Sequence, residues 1–115
     1  MNEVYFNSRV LDEAEAEKRL AFADSLKHCL SKVECARLQP KAYDGEDVLC
    51  LRLKAPGLNS CAHHQLIGDV ADRFMEETGV AIAGDLEGRE FGAFYDVGRG
   101  NCIFGITAEG PETEA

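Results

Sequence analysis

The chain has no tryptophan, only three prolines and two methionines, and no apolar run approaching the roughly 20 residues that a membrane-spanning helix needs. Its opening, "MNEVYFNSRVLDEAEAEKRL", has an early acid and no hydrophobic stretch, so it resembles neither a secretory signal nor a basic transit peptide. The cytoplasm is the expected location. There is no CxxC, GxxxxGK[ST], GxSxG, HExxH or EF-hand loop. "GRGNCIFG" has the wrong spacing for a dinucleotide-binding GxGxxG and is not followed by a helical pattern. No cofactor is called for, and no metal site can be assembled from spacing alone.

Basic residues are scarce in the second half. Residues 1–57 hold 10 acids and 9 bases, a net of −1, whereas residues 58–115 hold 11 acids and 3 bases, a net of −8. Such a surface repels phosphate backbones, so direct nucleic-acid binding is disfavoured. It would instead attract a basic protein surface, including one that normally holds DNA or RNA.

What is present fits an ordinary globular domain. The 115 residues are 45% hydrophobic and 29% charged, enough for one core and too short for two. Residues 1–109 are read as a single α+β domain and 110–115 as a frayed acidic tail. The five cysteines, at 29, 35, 50, 61 and 102, are odd in number and read as free thiols in a reducing compartment.

"EVYFNSR" is a weak opening strand. Asp12 followed by Glu15 resembles a capping box and predicts a helix start. The stripe Phe22, Leu26, Cys29, Leu30 and Val33 extends that helix to about residue 33. "ECARLQPKAY" and "DVLCLRLK" flank Asp44-Gly45, a hairpin signal. Leu49, Leu51 and Leu53 share one face of the second strand while Val48 and Cys50 share the other, which predicts an interior strand. Pro40 argues that its partner is an edge or ends early.

A second helix is expected from about Ser60 to Thr78, stopped by Gly79. Residues 79–105 carry seven of the eleven glycines between short β-rich pieces, "VAIA", "REFGAFYDV" and "NCIFGIT", which read as an antiparallel meander turning at "GRGN". The order is β-α-β-β-α-β-β(-β). Its first six elements match the split βαβ pattern of ferredoxin-like folds, with an extra C-terminal hairpin and two helices on one face of a mainly antiparallel sheet. Should the opening strand fail, the order is α-β-β-α-β-β-β.

The quartet "CAHH", residues 61–64, looks like a site. On a helix turning about 100° per residue, His63 falls inside the stripe of Leu66, Ile67, Val70, Ala71 and Phe74. His64 then lies on its border, and Cys61 on the polar side with Gln65, Asp69 and Asp72. The two histidines point apart, which leaves a Cys61–His64 contact at i, i+3. A thiol in a helix's first turn is activated by the dipole, so this pair is the minimal nucleophile and base. Zinc would need one or two further ligands. The same helix carries Asp69, Asp72 and Glu76 as a ladder, with Glu77 beside it, while Asp85, Glu87, Glu90 and Asp96 add charge from the meander. Phe94, on the opposite strand face from Phe91 and Tyr95, would anchor an interface if exposed.

The sequence therefore favours a non-enzymatic acidic interaction module. It would be an inhibitor or adaptor for a basic, nucleic-acid-binding protein, comparable in size and charge to phage-encoded antagonists of host defence. The alternative is a small thiol- or metal-dependent enzyme using Cys61 and His64. A homodimer through an unpaired strand edge stays open.

Overall fold

A computed structural model describes residues 3–21, 26–43, 45–55, 61–96 and 102–108. The protein is α+β, with two helices and a seven-stranded sheet in which every described pairing is antiparallel. In chain order the elements are β1 (Glu3–Tyr5), β2 (Val10–Asp12), α1 (Glu13–Leu20), β3 (Leu26–Tyr43), β4 (Glu46–Lys54), β5 (Ala62–Ile67), α2 (Asp69–Thr78), a 3-10 helix (Ala83–Leu86), β6 (Glu90–Asp96) and β7 (Cys102–Thr107). The strands lie in the order β2-β1-β7-β6-β3-β4-β5, so the expected split βαβ order is not confirmed.

Local signals set several elements. The Asp12 carboxylate accepts the Glu15 N–H at 2.8 Å and caps α1, as the sequence predicted. Tyr43 faces Glu46 across Asp44-Gly45, with Gly45 at φ 79°, so the hairpin expected there forms. β4 is interior, between β3 and β5, and Leu49, Leu51 and Leu53 are each at most 1% exposed. Pro40 sits beyond the stretch of β3 that pairs with β6, where the described partner of β3 is β4 alone. The turn expected at "GRGN" and the tail 110–115 lie outside the described residues.

Two expected helical stretches are strands. Leu26–Val33 belongs to β3, paired with β6 from Leu26 to Lys32 and with β4 from Lys32 onward. Its 3.6-residue periodicity is overridden by the ladder with β6 that runs along it from Leu26 to Lys32, and Leu30 is left 37% exposed. Residues 62–67, expected in the second helix, form β5 against β4. The strongly apolar β4 needs a partner on each edge, and β5 provides the second. Gly68, expected in mid-helix, stands at φ 61° as the N-cap of α2, and an added Cβ would meet the Glu46 carboxylate at 2.8 Å. "VAIA" enters the 3-10 helix rather than a strand.

The core has two parts. The larger joins β1, β3, β4, β5, β6 and β7 to α2, with Phe74 edge-on to Tyr5 (centroids 5.0 Å apart) and to Phe91 (5.2 Å). The smaller packs Ala16 and Leu20 of α1 on Val4 and Phe94. Val4 alternates with Tyr5, and Phe94 with Ala93 and Tyr95, so the two clusters lie on opposite faces of the sheet. The helices accordingly flank the sheet and do not share one face. No described helix is long and apolar enough to cross a membrane.

Candidate functional site

Because β5 is extended, His63 and His64 alternate to opposite faces, and Cys61, which precedes the strand, is separated from His64 by extended backbone. The proposed i, i+3 contact required a helix and does not arise. The helix N-terminus that would have activated Cys61 lies instead at Asp69. The two histidines exchange their expected roles for the same reason. His63 is exposed, whereas His64, opposite Leu51, is 3% exposed.

His64 has one defined task. Its Nε2 lies 3.1 Å from the Tyr5 carbonyl oxygen. A carbonyl only accepts, so Nε2 carries the hydrogen and the ring is held neutral. Burial pushes its pKa down to about 4, against a smaller upward pull from that hydrogen bond. The contact joins β5, at one end of the strand order, to β1 near the other. Asn7 completes the join: its carbonyl accepts the Ile67 N–H at 2.8 Å, and its side-chain amide donates to the Gln65 carbonyl at 2.7 Å. The sheet thus curls until β5 comes back against β7 and the turn after β1, and the seam is held by side chains in place of a ladder.

Beside this seam lies an open cleft of about 470 Å³, lined by Asn7, Cys50, Leu51, His63, His64, Gln65 and Ile103. Its lining mixes apolar and polar side chains, and among the described residues it includes no carboxylate or guanidinium. Cys50 accepts a weak hydrogen bond from the Gln65 amide at 3.7 Å. Among the described residues no group of three or more His, Cys, Asp or Glu side chains could hold a metal ion. Neither Asn7 nor the seam has a local sequence signal, since both depend on which strands the fold brings together.

The predicted acids are placed as follows. Asp69, Asp72, Glu76 and Glu77 are exposed on α2, and Asp85, Glu87 and Glu90 are exposed beyond it. The nearest cation, Arg73, is paired with Glu3. Glu87 has a further role: its carboxylate accepts the Ala36 N–H at 3.1 Å, beside the bulge in β3. Asp96, by contrast, is 3% exposed. Phe94 is 9% exposed and stacks on His28 at 4.1 Å with the rings 9° apart, so it is not available as a surface anchor. Comparison with known proteins brings no relative to this arrangement: no protein-family model, curated protein or solved structure matches the chain.

Proposed function

We propose that the protein is a non-enzymatic interaction module, an inhibitor or adaptor whose acidic C-terminal half docks on the basic surface of a nucleic-acid-binding protein. The observation that carries this reading is the polar face of α2. Asp69, Asp72 and Glu76 repeat at helical pitch, all exposed, and the last turn has no basic residue. Carboxylates suit the N-terminal end of a helix, but Glu76 and Glu77 oppose the dipole at the other end, at about 0.3–1 kcal/mol each. A solvated face chosen only for stability would place lysine or arginine there. Asp85 and Glu90 extend the same sign of charge beyond the helix, as a surface standing in for a phosphate backbone requires.

The size and charge are those of phage-encoded antagonists of host defence, and this analogy adds no residue assignment. The test is recovery of partners on the tagged chain and on the triple variant Asp69→Lys, Asp72→Lys, Glu76→Lys. Wild type should retain a basic partner that salt releases, and the variant should lose it. Equal retention by both chains would sink the reading.

A further inference from the structure

The cleft at the seam offers a site that is independent of the acidic face. The most buried polar side chain in its lining is His64, 3% exposed. Nε2 of that ring is committed to the Tyr5 carbonyl and carries the hydrogen, so Nδ1 is left with a lone pair and can only accept. No described group donates to it. Among the described residues the Tyr5 hydroxyl and His28 Nε2 are the side-chain polar atoms sealed from solvent without a partner. Nδ1 of His64 is unpartnered but not sealed, so it is reached from the cleft that the residue lines. Burial holds its pKa near 4, so the ring stays neutral and Nδ1 stays an acceptor throughout the neutral range. Asn7 adds a second acceptor. Its amide nitrogen donates to the Gln65 carbonyl, which fixes the amide's orientation and leaves the side-chain oxygen to accept.

We infer that this cleft binds an uncharged small molecule that presents an N–H or O–H donor to His64 Nδ1 from an apolar ring. Three features select that ligand. The two oriented groups both accept, so a ligand bearing only acceptors would set lone pair against lone pair. The lining holds no carboxylate to pair a cation and no lysine or arginine to pair an anion, and a charge brought beside a buried group without a partner is costly. Leu51 and Ile103 supply the apolar surface for a ring, and about 470 Å³ lies in the lower part of the range of small-molecule sites, about 300–1,000 Å³. Binding should also reach the seam. A donor on Nδ1 polarises the imidazole and strengthens the Nε2–H bond to Tyr5, so the ligand tightens the join between β5 and β1.

The probes are phenol and indole, their methylated counterparts anisole and N-methylindole, and benzoate and benzylammonium as charged controls. Each is titrated into the isotopically labelled full chain, and amide and histidine ring-nitrogen resonances are followed by NMR. Phenol or indole should shift the His63, His64 and Gln65 amides saturably and move the His64 Nδ1 resonance upfield, as a hydrogen bond to an unprotonated nitrogen does. The methylated counterpart keeps the ring and lacks the donor, so it should bind at least about tenfold more weakly. Benzoate and benzylammonium should leave these resonances in place. No saturable shift with either donor, equal binding of the methylated counterpart, a stationary Nδ1 resonance or shifts confined to α2 would overturn the proposal. The comparison within each matched pair needs no variant, and none of these outcomes depends on the acidic face.

Discussion

Acidification should weaken this protein through His64, and the size of the effect can be worked out. In the folded chain the ring is buried and neutral, donating from Nε2 to the Tyr5 carbonyl, with its pKa lowered from 6.5 to about 4. The unfolded chain takes up a proton at this residue as the pH falls through 6.5, whereas the folded chain does not until about 4. Between those values the unfolded state binds more protons, so stability rises with pH and falls on acidification. At about 1.36 kcal/mol per pH unit, the full interval amounts to about 3 kcal/mol, a large share of the stability of a small domain.

His28 acts in the same direction, because burial lowers its pKa more than Glu13 raises it. A single-chain titration would therefore mix the two. Urea unfolding from pH 7.5 to 4.5 should accordingly be run on wild type and on His64→Gln, which keeps an amide donor and cannot titrate. At pH 7.5 the wild type should be the more stable. That advantage should shrink by about 2–3 kcal/mol as the pH falls to 4.5. Parallel curves for the two chains would refute the reasoning, because they would mean that His64 is not desolvated or that its proton is not excluded by the seam.

Two further outcomes test the packing. Phe74→Ala should cost about 3–5 kcal/mol in chemical denaturation, because Phe74 is fully buried and its ring meets both Tyr5 and Phe91; a loss below about 1 kcal/mol would contradict that core. Gly105→Ala should cost about 1–3 kcal/mol, since the new methyl would lie 2.7 Å from Cγ1 of the fully buried Val4. An unchanged unfolding midpoint would show that β1 and β7 are not packed this closely.

The α+β class, the Asp12 cap, the hairpin at Asp44-Gly45, the interior position of β4, the stop of α2 at Gly79 and the acidity of the C-terminal half were all legible in the chain. Each depends on neighbours in sequence or on composition: a carboxylate three residues from an N–H, a turn residue with positive φ, a period of two, a count of charges. The fate of "CAHH" was not legible. Residues 62–67 are compatible with a helical stripe, and only β4's demand for a second partner makes them a strand.

That single change of period from 3.6 to 2 reverses which histidine is buried, separates Cys61 from His64 and frees Gly68 to start α2. The same kind of contest moved Leu26–Val33 from helix to strand, since β6, its partner from Leu26 to Lys32, lies far away in sequence. Asn7 and the seam are the extreme case, because their hydrogen bonds span 58 and 59 residues. Local chemistry determined the caps, turns and charge of this protein; long-range pairing alone decided which groups were buried, which faced water and where a cleft was left open.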